Sequence, residues 1–316
     1  MPFTLIKGTY RVVRYSPDGD SIRFEADDSA LLMGLADFRP KINARNHVQL
    51  RIEAVDALET HYSPPSGGGI YHQPLALATA ARDALLDFVQ IRNIEWDSAG
   101  KTVVSADEGA RGYILSRSVE KYGRPIAFVF IGEPAQNDGA QVILDIPRLR
   151  ESYNFSALSR GLVYATYYRG LFNDLREACT DAVRQARQAR AGVYAIDATN
   201  SGIEASTLRV LTEDAAVMPK LFRRLVEYMV NYGTAVGFKD KLAQAQEPVL
   251  DLTMQNFTHF DTFIDQAEGS ETIRLIRAPE ELVFDEMKAR PETMLFSGLM
   301  GDERPLRFEG IAARRL

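Results

Sequence analysis

The segment from Tyr15 to Thr60 constrains this chain most, because it carries Asp18-Gly19-Asp20 near its start and Arg51, Asp56 and Glu59 near its end. Asp18-Gly19-Asp20 lies between Arg11 to Tyr15 and the alternating run Ser21-Ile22-Arg23-Phe24-Glu25-Ala26. It therefore reads as a turn between two antiparallel strands, with Asp20 at a strand mouth. Further on, Val48, Leu50, Ile52 and Ala54 alternate with Gln49, Arg51 and Glu53, so one strand face enters a core and Arg51 leaves by the other. Asp56 and Glu59 follow where that strand ends. An acidic tripeptide around glycine is by itself only a turn former. Its conjunction with the second cluster carries more weight.

That conjunction resembles the staphylococcal nuclease (thermonuclease) family. The family signature places a metal-binding Asp after an Asp-Gly turn, an Arg five residues before a second metal-binding Asp, and a Glu three residues beyond it. Asp20, Arg51, Asp56 and Glu59 stand at those positions. Lys121-Tyr122-Gly123-Arg124 before an apolar run, and Ala157-Leu158-Ser159-Arg160-Gly161-Leu162 followed by Tyr164, Tyr167 and Tyr168, are similar to two further family elements. The resemblance covers about residues 9–195 and not the last third of the chain. It departs at Leu58, where the family often has Pro, and at Ser21, where Thr is usual.

The resemblance implies an α+β fold: an OB-type five-stranded β-barrel with three packed helices, whose strand face and loops accept oligonucleotides. It also implies hydrolysis of phosphodiesters in DNA or RNA. In that reading Asp20, Asp56 and the backbone carbonyl of Ala57 ligate Ca2+, with Mg2+ as the alternative hard cation, and Asp18 supports the metal shell indirectly. Glu59 activates water as general base, and Arg51 and Arg124 stabilise the phosphoryl transition state with permanently charged, bidentate forks. Tyr122 and Tyr167 contact the substrate. The competing reading is a barrel that has lost catalysis and binds nucleic acid or protein.

Length argues for two domains, since 316 residues exceed the usual single-domain size. The expected division is a nuclease-like domain over 1–197 and an accessory domain over 203–316, mixed but mainly helical, joined at Ala198-Thr-Asn-Ser-Gly202. Most of the net charge of −6 lies in that last segment, whereas residues 1–197 are close to neutral. Near-neutrality counts against tight non-specific DNA binding and leaves room for a local groove. The acidic segment suggests a removable domain that docks a protein partner or tempers nucleic-acid binding, the alternative being an extension that covers apolar surface. No window is long enough to span a bilayer, and the opening residues lack a secretory pattern, so a soluble, cytoplasmic protein is expected.

Other features have plainer readings. Cys179 is the only cysteine, which excludes an intrachain disulfide and a cysteine-type zinc site. The stretch Ser63-Pro-Pro-Ser-Gly-Gly-Gly69 reads as a flexible connector or a lid beside Glu59, and His61 and His72 flanking it make a poor metal pair. Gln73 to Ile91 predicts a helix. So does the run from Leu175 to Ala189, whose polar side carries Arg176, Arg184, Arg187 and Arg190 as a solvated face or a phosphate track. Leu221, Phe222, Leu225, Val226 and Met229 after Pro219 predict an amphipathic helix.

Overall fold

Residues 48–52 sew the main sheet shut. In the computed structural model, which describes residues 2–285, strand β1 (Phe3–Arg11) pairs antiparallel with β2 (Arg23–Ala26), with Asp18-Gly19-Asp20 in the connection between them. Helix α1 (Ser29–Met33) and the short strands β3 (Ala36–Asp37), β4 (Val48–Gln49), β5 (Arg51–Ile52) and β6 (Val55–Asp56) come next. Helix α2 (Leu75–Phe88), the hairpin β7 (Arg92–Trp96) and β8 (Val103–Asp107), and the longer strands β9 (Arg111–Val119) and β10 (Pro125–Ile131) follow.

The strand order is β4-β2-β1-β9-β10-β5. Its two ends, β4 and β5, are separated in sequence by Leu50 alone. Leu50 N donates to Ile22 O (2.9 Å) and Ile52 N to Asp20 O (3.0 Å), carrying the ladder from one end to the other. The result is a mixed α+β fold around a nearly closed, barrel-like sheet. Val48, Leu50, Ile52 and Ala54 are all buried, as their alternation predicts, and they join Phe24, Ile114, Leu115, Phe128 and Val129 in the core. β9 and β10 carry apolar residues on both faces because the sheet is covered outside as well as filled inside.

The regular strand stops earlier than the alternation suggests. Ala54 has φ 69°, a left-handed conformation in a non-glycine residue, and this kink redirects the chain from β5 into β6. Buried Asn154 holds the kink: its Nδ2 donates to the carbonyls of Glu53 (2.8 Å) and Ala127 (3.1 Å), and its Oδ1 accepts from Val129 N (3.0 Å). Asn154 lies in helix α4 (Tyr153–Ser159), which follows β11 (Gln141–Val142) and α3 (Ile146–Arg150). Ser152 caps α4, its hydroxyl accepting from Phe155 N at 3.2 Å. The strands β12 (Tyr164–Ala165) and β13 (Tyr167–Tyr168) and helix α5 (Asn173–Gln188) complete this part.

Residues 198–202 do not separate two bodies. Residues up to Asp285 form one compact unit, and the chain beyond Gly202 returns repeatedly to the barrel. It contributes β14 (Ile203–Glu204), α6 (Pro219–Tyr232), α7 (Phe238–Ala245), β15 (Pro248–Asp251), β16 (Asn256–His259), β17 (Ile264–Asp265), β18 (Thr272–Leu275) and β19 (Leu282–Phe284). This segment is thus as rich in strands as in helices, unlike the mainly helical expectation. β19 pairs in parallel with β13, Tyr167 opposite Val283, and makes a four-stranded sheet with β15 and β16. Arg187 of α5 bridges Asp197 (2.7 Å) and buried Glu280 (2.9 Å), so it is an internal tie rather than part of a basic track. Gln73 Nε2 donates to Val217 O at 2.7 Å. The part of the expected accessory domain beyond residue 285 lies outside the described residues, and among the described residues no helix is long and apolar enough to cross a membrane.

A chain ending at Thr199 loses the partner strand of β13 and bares the apolar surface under α6. It is expected to be aggregated or to lack a cooperative thermal transition, as size-exclusion chromatography and a melting curve would show. A soluble, cooperatively melting fragment would restore the removable-domain reading.

Candidate active site

Gly19 allows the acidic turn to lie where it does. A Cβ there would stand 2.7 Å from the Cβ of Ala81 in α2 and 2.8 Å from the Cβ of Ala57, so only glycine lets the turn pack between them. Tyr153 fixes the turn, its hydroxyl donating to Gly19 O (2.7 Å) and lying 3.2 Å from Ala81 O. Asp18 accepts from Gly19 N (2.8 Å) and Thr60 Oγ1 (3.0 Å), which ties the start of the segment to its end. Thus local turn chemistry and the packing of α2 bring Asp18 and Asp20 beside the residues that follow β6.

Five of the sequence-predicted residues converge with Asp18. Asp20 lies in the electrostatic field of Asp56, Arg124, Arg223 and Arg51, and Glu59 in that of Arg223, Asp20 and Asp56. Burial raises the Asp18 carboxyl to about 8, with the charges of Asp20 and Glu59 adding to the shift. Burial likewise raises Glu59 to about 7 against the pull of Arg223, and Asp20 moves upward for the same reason. Arg51 stacks on Tyr168, its Cζ 4.2 Å from the ring centroid. Arg124 Nε donates to buried Glu120 at 3.1 Å, and the same carboxylate accepts from the amides of Tyr122 and Arg124. Glu120 therefore shapes the turn that carries Arg124.

The two predicted substrate tyrosines differ in access. Tyr122 points into solvent, 62% exposed, with Lys121 Nζ 5.0 Å from its ring centroid. Tyr167 is wholly buried, with its hydroxyl 3.0 Å from Thr180 Oγ1. Strand alternation places the next residue on the site side instead: Tyr168 contacts Arg51, and Lys220 lies 3.4 Å from its hydroxyl.

The residue that sequence reasoning missed is Arg223. Its fork grips both oxygens of Asp56, Nη1 to Oδ1 at 3.1 Å and Nη2 to Oδ2 at 3.0 Å, while Nη1 also donates to Glu59 Oε1 at 2.5 Å. α6 presents it from a fixed platform. Leu221, Phe222, Leu225 and Val226 are buried, Met218 N is held by Thr199 Oγ1 (2.9 Å), and Lys220 and Arg224 both bind Glu247. The glycine-rich loop touches the same helix. Its neck is closed by Tyr62 and Tyr71 through paired backbone bonds of 2.6 and 2.7 Å, and its tip at Gly68 packs against Val230. The only sequence signal for Arg223 was a cation between Phe222 and Leu225 on an amphipathic helix, which ordinarily marks a solvated flank.

A divalent ion does not fit the donor set as arranged. Both Asp56 oxygens face the Arg223 fork, and among the described residues no group of three or more His, Cys, Asp or Glu side chains is placed to hold a metal ion. Cys179 has no part in the site. It is buried in α5, and burial pushes its thiol up to about 12.

The raised carboxyls have a definite sign. Asp18 and Glu59 hold protons in the folded chain that they release when unfolded, so their contribution to stability is full below the ordinary carboxylate range. It is lost as pH rises through about 7 to 8. The melting temperature is expected to fall from about pH 5 to about pH 8. Asp18→Asn should flatten the fall, and an unchanged slope in that variant would remove Asp18 from the account. No protein-family model matches this chain, and no curated protein matches it in sequence.

Proposed function

We propose that this chain hydrolyses phosphodiesters in DNA or RNA with a barrel of the staphylococcal nuclease type. The observation that carries the reading is convergence: Arg51 on β5, Arg124 at the start of β10, and Asp56 and Glu59 beyond the Ala54 kink all act on the one turn that holds Asp20. The strand order of the barrel-like sheet and the position of Gly19 support it, because they place these residues together at one end of a scaffold suited to oligonucleotides.

In this reading Glu59 keeps Oε1 on Arg223 and takes the proton of an attacking water on Oε2. The water oxygen bonds to phosphorus, the bond to the leaving sugar oxygen breaks, and that oxygen takes a proton from solvent. Arg51 and Arg124 neutralise the charge that accumulates on the non-bridging oxygens. The expected calcium ion has no step here, since Asp56, one of the two carboxylates meant to bind it, is paired with an arginine.

A second reading rests on a separate observation. The cavity beside Arg51, lined also by Ile126, Thr166 and Tyr168, holds about 10 Å³, room for a single water. So little room beside Arg51 fits a catalytically silent binding module, and exposed acidic residues beyond 198, Glu213 and Asp214 among them, offer a surface for a protein partner.

The full chain incubated with labelled single-stranded DNA and RNA separates the two. Cleavage is expected, rising with pH through about 7 as Glu59 ionises. Glu59→Gln should slow it by roughly 10²- to 10⁴-fold without loss of the folded state. Retarded but intact oligonucleotide would establish the binding module, and undiminished cleavage in Glu59→Gln would move the base elsewhere.

A further inference from the structure

We infer that Arg223 is the resident cation of the acidic site, standing in for a divalent ion, so that the site is assembled and works without a bound metal. The inference concerns the site of the proposed hydrolase, but its test does not need catalysis. Arg223 does for Asp56 and Glu59 what a hard cation would do: one positive centre bridges two carboxylates that stand three residues apart. A guanidinium is suited to this because it is permanently charged and matches a carboxylate with two parallel N–H donors.

Three features make the guanidinium a built part of the site rather than a passing contact. First, it uses both Asp56 oxygens, and Asp56 is itself buried. Second, α6 cannot swing away cheaply. Its apolar face is in the core, Phe222 lies against the ring of Tyr62 at 6.2 Å, and Lys220 and Arg224 clamp Glu247 on the far side. Third, the helix is continuous with structure that the barrel needs, through Gln73 to Val217 and through the pairing of β19 with β13. Arg223 touches the two carboxylates and not a substrate, which makes it a positioning residue: it holds Glu59 Oε1 and leaves the second oxygen for water.

The consequence can be read by Ca2+ binding and by thermal shift, with Tb3+ luminescence as the spectroscopic probe. The natural chain is expected to show no calcium-dependent rise in melting temperature and no sensitised Tb3+ emission at millimolar ion. Arg223→Gln should melt lower and gain a Ca2+-dependent rise, which should vanish in the Arg223→Gln, Asp56→Asn double variant. Arg223→Lys, which keeps a positive charge, should stay insensitive to Ca2+. It also remains informative should the glutamine variant not fold. Any cleavage by the natural chain should persist in chelator.

A calcium-dependent stabilisation of the natural chain that disappears in Asp56→Asn would overturn the inference, as would an Arg223→Gln protein that folds and ignores Ca2+. Absence of cleavage would count against the hydrolase alone. The ion titrations would still decide the role of Arg223.

Discussion

The structure depends on how four acidic side chains are brought together at one end of a barrel without forcing it apart. Asp18, Asp20, Asp56 and Glu59 repel one another, and burial makes their charge more expensive still. Two devices answer this. Arg223 pairs with Asp56 and Glu59, and Asp18 is left at a high enough pKa to stay largely protonated at neutral pH. Buried ion pairs rarely add much stability over apolar packing, but removing one partner is costly. The helix carrying Arg223 therefore cannot leave the barrel without stranding two buried carboxylates.

This dependence explains why residues beyond 202 are integrated rather than appended. A domain held only by a linker would leave Asp56 and Glu59 facing water or an ion. Here α6 covers them, β19 extends the chain's pairing past β13, and Arg187 knits α5 to Asp197 and Glu280. Among the described acidic residues of the last segment, Glu204, Glu213, Asp214, Asp240, Asp265 and Glu268 are exposed. The cations that matter inside it, Lys220, Arg223 and Arg224, face buried or half-buried carboxylates.

Much of the barrel could be read in the sequence because its signals are local. Alternation announced the buried positions from Val48 to Ala54, and the stretch from Gln73 to Ile91 announced the helix that runs over Leu75–Phe88. The convergence of Asp20, Asp56, Glu59, Arg51 and Arg124 was implied by the resemblance to the staphylococcal nuclease family rather than by any local pattern. The kink at Ala54 was not legible, because its cause is a distant side chain, Asn154. Tyr167 and Tyr168 were indistinguishable without strand register, which only the pairing with β19 settles. Arg223 was least legible of all: its partners lie far back in the chain, and no periodicity marks a polar residue that turns inward.

The order in which the chain is made gives the Arg223 pair a temporal meaning. Every element of the barrel precedes residue 200, whereas the guanidinium that neutralises Asp56 and the strand that pairs with Tyr167 come later. On a ribosome the barrel would emerge with its carboxylates uncompensated and one sheet edge unpaired. Translation through α6 is thus required before Asp56 and Glu59 gain their cation, so the acidic site settles after the barrel around it has been made.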